Sequence, residues 1–484
     1  MNNPLAPLVR IPAFLALVSM FCFLPVLTGS VAAAPGDTEL MARVPGAVPG
    51  SPQLRSLAAR QVDIISVGAD GAVVIATPEM LNSLNPGGGG FLVLREDLSI
   101  YHTSSTSQVE ASEFHTYDEL SREMAELAEA WPEIASLHQL GLSVEGRPIW
   151  ALKISDNVEL DESDEPRVLL VGCHHAREWI SVETTLLIAR HLLEQSNAGG
   201  QAAAAVDGAE IWAVPMLNPD GHVYTVEHDR LWRKNRRNNG NGSWGVDLNR
   251  NYSYQWGYDD EGSSGNPNSG TYRGTAPFSE PESSAIRDLM SIGRPFAALI
   301  SYHNFSQLVL KAWGYTIAPT ADESYFIWLT RSLANMITAV HGVPYEGGGS
   351  DLLYLTNGDT VDWTYGTFRI PAFTIELRPG PNHGNDGFIN PPSDIQPTFE
   401  ENLPAALWLI EQAMAGLPLR GDTDLSGRVD GIDLGHLSHA FGSGPDGEQW
   451  LPPADLDGNG VVDGEDLAIL SFFFGFYGWG VLPF

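Results

Sequence analysis

The sequence predicts an α/β protein: a central mixed, largely parallel sheet with helices on both faces, preceded by a small α+β unit and followed by a small α-helical unit with acidic loops. Three observations carry this. The runs Arg167 to Cys173, Ile211 to Pro215, Ala297 to Tyr302 and Ala372 to Leu377 are nearly continuous in apolar residues, as strands covered on both faces are, and helical stretches separate them. Ahead of them, between Glu39 and Glu96, short apolar runs and two helical segments follow a βαββαβ alternation. Behind them, Asp422 to Gly442 superposes on Asp455 to Gly475 at a constant offset of 33, so one supersecondary unit occurs twice.

A length of 484 residues accommodates one large domain and two small ones, since domains run to about 100–200 residues. Apolar residues make up 43% and charged ones 18%, the balance of a packed globular protein. Asp and Glu number 60 against 26 Lys and Arg, a formal charge of -34. Such a field repels phosphate backbones and anionic lipid, which argues against nucleic-acid and membrane-surface partners and favours calcium and cationic ones. No heptad argues for self-association, so a monomer is expected.

Taken in order, Met1 to Arg10 end in a positive charge, Ile11 to Leu27 are almost wholly apolar, and Thr28 to Ala34 finish in small residues. That order reads as a signal peptide over 1–34 and predicts a secreted protein; a membrane anchor competes, but the apolar core holds Pro25 and is short for a span. Removing it takes Cys22, leaving Cys173, a small buried residue after Val168 to Val171, and no intramolecular disulfide. Residues 35–100 form the small α+β unit, with strands at Met41 to Val48, Val62 to Val67, Val73 to Thr77 and Phe91 to Leu94 and helices at Pro52 to Arg60 and Pro78 to Leu84. The polar linker over 101–113 makes it a candidate prodomain; an accessory domain that is never removed is the alternative. The large α/β region spans 114–416, with clear helices at Tyr117 to Ala130, Ser181 to Gln195 and Ser279 to Ile292. The acidic repeats occupy 419–484.

His175-Ala176-Arg177-Glu178 puts an imidazole and a carboxylate three residues apart just after a buried strand, where both can meet one metal ion. Alone the pattern is weak, because His and Glu at a strand end are commonly hydrogen-bonded surface residues. A catalytic zinc takes three N or O protein ligands and keeps a position for water, so a third ligand is required. His303 is the best candidate, since it ends the apolar run Phe296 to Tyr302 and adjacent parallel strands open onto one crevice. Glu376 lies inside a third apolar run, Phe373 to Leu377, where a lone acid is costly without a partner or a task. Two readings stand for it: a salt bridge with Arg378, or a general base beside the metal.

Several blocks occur in order: His175-Ala176-Arg177-Glu178, Asn218-Pro219-Asp220-Gly221, Leu231-Trp232-Arg233-Lys234, Gly245-Val246-Asp247-Leu248-Asn249-Arg250-Asn251-Tyr252, Tyr302-His303, Asp362-Trp363 and Thr374-Ile375-Glu376-Leu377-Arg378. Together they resemble the zinc carboxypeptidases of the carboxypeptidase A type, the M14 or funnelin family, over about Tyr117 to Gly416. The resemblance implies a carboxypeptidase-like fold and one zinc ion held by His175, Glu178 and His303. It implies that Glu376 deprotonates the attacking water and passes the proton to the leaving amine, while Arg233 stabilises the developing oxyanion. Asn249 and Arg250 match the pair that binds the substrate's terminal carboxylate, Tyr354 the tyrosine that closes over it, and Asp247 a carboxylate that hydrogen-bonds His175. Arg177 would contact substrate residues further from the end. Val361 occupies the pocket position where an apolar residue favours aromatic or branched C-terminal residues, and Asp359 lies two positions earlier. Hydrophobic C-terminal residues are expected first, with Lys or Arg tolerated through Asp359. Where the family commonly has Ser or Thr and then Tyr after the metal histidine, this chain has Asn304-Phe305, which removes one substrate hydrogen bond.

In the repeats, Asp422, Asp424, Ser426, Asp430 and Asp433 stand at positions 1, 3, 5, 9 and 12 of a calcium loop, with Gly427 at 6 and the Arg428 carbonyl between. Asp455, Asp457, Asn459, Val461, Asp463 and Asp466 repeat the pattern, which predicts two calcium ions. Paired loops each followed by a short helix resemble dockerin, a module that tethers secreted bacterial enzymes to cohesin-bearing scaffolds, over Leu419 to about Tyr477; a cohesin partner is implied by that likeness alone. The whole reads as a secreted zinc carboxypeptidase acting on peptides. Two rivals are a cell-wall peptide amidase on the same zinc site and a calcium-dependent binding protein with a silent catalytic domain.

Overall fold

The computed structural model describes residues 39–60, 62–84, 90–96, 98, 113–163, 165–381, 387–415, 421–424, 429–445, 447–456 and 460–474. The expected leader, the linker over 101–112, and Ser426, Arg428, Asp457 and Asn459 lie outside the described residues.

Strands β1 (Leu40–Val44), β2 (Asp63–Gly68), β3 (Gly71–Ala76) and β4 (Leu92–Arg95) form an antiparallel sheet in the order β2-β3-β1-β4, with helices at Pro52–Ala59 and Pro78–Leu84. The chain order is the βαββαβ alternation that the sequence predicts. Strand β1 ends before Val48 because Pro45 and Gly46, the latter at φ 81°, turn the chain away. At the start of β3, Gly71 has φ 117°, and a Cβ there would lie 2.3 Å from the Val44 carbonyl oxygen, so the close approach of the strands requires glycine.

Eight strands build the large sheet: β5 (Ala135–Leu142), β6 (Pro148–Ile154), β7 (Arg167–Gly172), β8 (Glu210–Val214), β9 (Phe296–Asn304), β10 (Leu308–Lys311), β11 (Glu346–Gly348) and β12 (Ala372–Leu377). Their order is β11-β10-β12-β9-β7-β8-β6-β5. The central four, β12, β9, β7 and β8, are mutually parallel, and antiparallel pairings flank them. Chain length explains the change of direction: residues 143–147 and 305–307 are too few for the crossover of a dozen or more residues that a parallel return needs.

Helices Tyr117–Ala130, Trp179–Gln195, Glu323–His341 and Ile395–Met414 share one hydrophobic core with this sheet, and that core contains no residue before Phe114. The first of them opens with a capping box between Thr116 and Glu119 and buries Leu120, Met124 and Leu127, one stripe at helical spacing. The expected helix at Ser279 to Ile292 is Pro281–Ser291. Beyond the large unit, helices Gly431–Ala440 and Gly464–Phe473 enclose a small separate core that includes Val429, Leu437, Val462 and Leu470. Among the described residues no helix is long and apolar enough to cross a membrane.

His115 fastens the start of the large unit to helix Trp179–Gln195. Its backbone N–H donates to Glu183 Oε1 at 2.7 Å, and its ring nitrogens lie 2.8 Å from Glu183 Oε2 and 2.8 Å from Glu123 Oε2. Burial opposes the charged imidazole, but the two carboxylates outweigh it and push the pKa up to about 10. With the folded value above the unfolded 6.5, the stabilisation is complete below about pH 6.5 and is lost as pH rises through about 10. An NMR titration of His115 should therefore show a midpoint near 10, and the thermal stability advantage over His115→Asn should shrink across that window. A midpoint at the ordinary imidazole value would refute the clamp.

Candidate active site

Three adjacent parallel strands deliver the candidate residues to one sheet edge. Strand β7 ends at Gly172, and His175 and Glu178 follow in the turn to helix Trp179–Gln195. A Cβ on Gly172 would lie 2.6 Å from the carbonyl oxygens of both Pro215 and Ser181, so this turn closes tightly against its neighbours. His303 lies near the end of β9, and Glu376 pairs with it across the parallel β9–β12 register.

His175 Nδ1 lies 2.7 Å from Glu178 Oε1, His303 Nδ1 2.9 Å from Glu178 Oε2, and the two Nδ1 atoms 3.1 Å from each other. All three side chains are buried. Two imidazole nitrogens turned toward one another and a carboxylate call for a cation between them. Zinc–nitrogen bonds of about 2.0–2.1 Å at a tetrahedral angle separate donor atoms by roughly 3.3 Å, so the residues present fit a zinc ion. Burial raises the Glu178 carboxyl's proton affinity, but the two imidazoles outweigh this and hold it well below the usual range. Burial lowers the pKa of His303 against the pull of Glu178, which keeps its lone pair available.

Around this triad stands a layer of fixed charge. Asp247 accepts from His175 Nε2 through Oδ1 at 3.1 Å, and through Oδ2 from Arg233 Nε at 3.0 Å and Nη2 at 2.8 Å. Burial works against its charge, yet Arg233 and His175 hold its pKa well below the ordinary carboxylate value. Arg250 donates from Nε to the Gly262 carbonyl and from Nη1 to the Asn249 carbonyl, both at 2.8 Å. Asn249 Oδ1 receives the Thr360 N–H and hydroxyl at 2.9 and 2.8 Å, which assigns the oxygen end of that amide.

His175, Glu178, His303, Arg233, Asn249 and Arg250 line one cleft, about 720 Å³ with its open mouth, together with Arg177, Tyr354, Asp359, Val361 and Glu376. Glu376 opens partly to the cleft, and burial together with the Glu178 carboxylate pushes its pKa well above the usual value. Arg378 does not pair with it: that guanidinium binds Glu401 through Nε at 3.1 Å and reaches Asp394 at 3.5 Å, which removes the salt-bridge reading of Glu376. Asp359 caps helix Thr360–Phe368 by accepting the Asp362 N–H at 2.8 Å, and its other oxygen accepts the Thr356 hydroxyl at 2.5 Å. A side chain on Gly314 would lie 2.4 Å from that second oxygen, so glycine there leaves the room that Asp359 fills.

Sequence reasoning missed a visitor from the N-terminal sheet. Asp63, the first residue of β2, faces Arg177 through two contacts, 3.1 Å to Nη1 and 3.3 Å to Nη2, and Ile64 and Ile65 line the cleft. Phe305, standing where the family commonly has Tyr, packs against Phe388 and joins a buried cluster with Met41, Ile65 and Val73. No spacing in the sequence links residue 63 to residue 177. Sequence reasoning also left out the buried His174, which hydrogen-bonds no expected ligand, stacks on the His303 ring and bonds Ser301, Thr360 and Tyr252. Its position beside His175 was the one available signal.

In the C-terminal unit, Asp422, Asp424 and Asp433 bring carboxylate oxygens within 4.8 Å of one another. Asp433 also accepts the Thr423 and Asp430 N–H groups, and Asp466 repeats this with Leu456 and Asp463. Asp430 and Asp463 cap the two helices. Asp455 receives the Gly460 N–H at 3.0 Å, and Val461 is exposed.

Comparison with known proteins agrees with this geometry. A family model described as zinc carboxypeptidase matches residues 120–405. Carboxypeptidase B of Astacus astacus is 36% identical over 293 residues, covering 60% of this chain and 93% of the relative. Carboxypeptidase A1 of Rattus norvegicus is 34% identical over 312 residues, covering 64% and 72%. The crystal structure of carboxypeptidase A from Helicoverpa armigera superposes with a TM-score of 0.67 at 26% identity, covering 78% of this chain and 99% of that one. The chain belongs to the zinc carboxypeptidase family M14 and is a metallocarboxypeptidase of the carboxypeptidase A type.

Proposed function

We propose that this metallocarboxypeptidase is a secreted exopeptidase that releases single residues from free peptide C-termini, hydrophobic ones first and Lys or Arg second, and that its N-terminal unit holds it as a zymogen. One observation supports the reaction above all: the donors of His175, Glu178 and His303 face a common point, with Glu376 beside them and three guanidinium groups in the same cleft. Zinc held by that triad supplies a Lewis acid that polarises the scissile carbonyl and lowers the pKa of water towards about 7. Glu376 takes the proton of the attacking water, strengthened as a base by its surroundings, and returns it to the leaving amine. Arg233, braced by Asp247, puts a fixed positive charge where the oxyanion develops. Arg250 and the amide NH₂ of Asn249 take the terminal carboxylate, Tyr354 closes over it, and Arg177 holds the substrate further from its end. Val361 shapes an apolar pocket. Asp359 already spends both oxygens on protein donors, which places basic residues second.

Asp63 supports the zymogen reading, since it occupies the guanidinium that substrate needs while Ile64 and Ile65 fill cleft space. The linker over 101–112 contains no Lys or Arg, so its cutting falls to a protease of other specificity. The C-terminal unit binds two calcium ions in this reading, through Asp422, Asp424, Ser426, Arg428, Asp430 and Asp433 and through Asp455, Asp457, Asn459, Val461, Asp463 and Asp466, and tethers the enzyme as a dockerin does. The acidic cluster at Asp422, Asp424 and Asp433 supports it.

Hydrolysis of blocked dipeptides ending in Phe, Lys or Glu tests the reaction. Chelation should abolish it, zinc restore it, and Glu376→Gln lower kcat by about 10²–10⁴-fold; an undiminished Gln variant removes Glu376 as base, and comparable cleavage of the Glu substrate removes the pocket assignment. In the full chain, Asp63→Ala should raise turnover several-fold towards that of the proteolysed enzyme. Equal activity of intact and proteolysed wild type would overturn the zymogen. Calorimetry should find two calcium ions in the wild type and one in Asp422→Ala, and an absence of binding heat in the wild type would end the calcium reading.

A further inference from the structure

A run of hydrogen bonds behind the metal triad joins a ligand to the carboxylate clamp, and a histidine without an assigned role sits at its middle. His303 Nε2 lies 3.0 Å from Ser301 Oγ, which lies 3.1 Å from His174 Nδ1. On the other side of that ring, His174 Nε2 lies 2.9 Å from Thr360 Oγ1, whose hydroxyl reaches Asn249 Oδ1 at 2.8 Å, and 2.9 Å from the Tyr252 hydroxyl. Every member is buried, and the His174 and His303 rings stack with centroids 5.4 Å apart. The direction of the run is not free. The Thr360 backbone N–H is an obligate donor, so Asn249 Oδ1 is an acceptor and the amide NH₂ turns the other way, with its nitrogen 3.5 Å from His303 Nε2 at the cleft. A cation on His303 Nδ1 needs that lone pair, so the His303 proton sits on Nε2 and points at Ser301. Ser301 then donates to His174 Nδ1, which puts the His174 proton on Nε2, and Thr360 receives it and donates on to Asn249. The Ser301 and Thr360 hydroxyls each accept once and donate once, and the Tyr252 oxygen shares the His174 Nε2 proton.

We infer that His174 is a positioning residue that fixes both the tautomer of the metal-binding His303 and the orientation of the carboxylate-binding Asn249. This rests on the zinc carboxypeptidase reading of the site. An apolar side chain in its place leaves Ser301 and Thr360 buried with one bond fewer each. It also permits the reverse tautomer of His303, in which the Nδ1 proton blocks the metal.

The two arms of the run are separable. Zinc affinity is measured on the metal-free full-length chain by competition with a chromogenic chelator, and KM for a blocked dipeptide ending in Phe is measured on the proteolytically activated, zinc-loaded chain. Ser301→Ala cuts only the His303 arm and should weaken zinc binding about 10-fold, the lower end for outer partners of a metal-bound histidine, with KM nearly unchanged. Thr360→Val cuts only the Asn249 arm and should raise KM by up to about 10-fold, the worth of one hydrogen bond, with zinc affinity unchanged. His174→Leu should show both effects, and His174→Gln, which keeps a donor and an acceptor, should recover part of each. A His174→Leu chain that loses thermal stability while both constants stay at wild-type values overturns the inference. So do Ser301→Ala and Thr360→Val if they move the two constants together, a comparison that stands even where His174→Leu fails to fold. A wild-type chain that binds no zinc removes the underlying reading as well, an outcome distinct from equal binding by every variant.

Discussion

Burying two imidazoles and several carboxylates at the ends of parallel strands is the demand that the rest of the large unit serves. Each of these charges is expensive away from water, and each is answered by a partner set in place by backbone. Asp247 answers His175 and Arg233 together, and is itself presented by a short helical turn whose Asn249 N–H donates to it at 3.0 Å. Glu178 answers both histidines, and the last residues of β7 and β9 bring them within reach of it. Glu376 is the exception. Burial and the Glu178 carboxylate outweigh the Arg233, Arg250 and Arg177 guanidinium groups around it, and its raised proton affinity records that balance. Among the side chains around the triad it is the one carboxyl held in that state, which is the condition the proposed general base needs.

The N-terminal sheet solves the converse problem. A cleft with Arg177, Arg233 and Arg250 in it is a local concentration of positive charge in a chain whose formal charge is -34. Asp63 offsets part of it. Arg177 and Arg233 outweigh the burial that would otherwise raise the Asp63 pKa, and its depressed value reports the strength of that field. The apolar contacts of Phe305 and Phe388 with Met41 and Ile65 then cover ring surfaces that would face water alone. The unit thus matches the cleft in both charge and hydrophobicity.

The fold was legible because local and long-range signals agree. Strands of the parallel centre are apolar throughout, and helix Tyr117–Ala130 carries its own cap and stripe. The triad was legible from the positions of His175, Glu178 and His303 after such strands. The partners were not. Asp63 to Arg177 and Arg378 to Glu401 are pairings across the fold, and nothing in residue order states which acid a guanidinium will choose. Sequence order placed Arg378 two residues from Glu376, but neighbouring residues of a strand point to opposite faces and residues two apart lie parallel, so the contact was decided by helix Ile395–Met414 arriving on that side with Glu401.

The same geometry decides which pocket-lining positions can be changed without disturbing the metal triad. Asp359 caps helix Thr360–Phe368, Thr360 begins it, and Val361 follows within the first turn. Three successive residues on one element therefore supply two cleft-lining side chains, Asp359 and Val361, and the bonds that hold the Asn249 amide. A substitution that lengthens Asp359 has to displace its cap on Asp362 N–H or its contact with Thr356, and either movement shifts Thr360 with it. In the arrangement inferred for His174, Thr360 stands in the same run as His303. Changing what the pocket reads without disturbing the metal calls for substitution at Val361, whose side chain is outside that run, and not at Asp359, whose carboxylate holds the helix end in place.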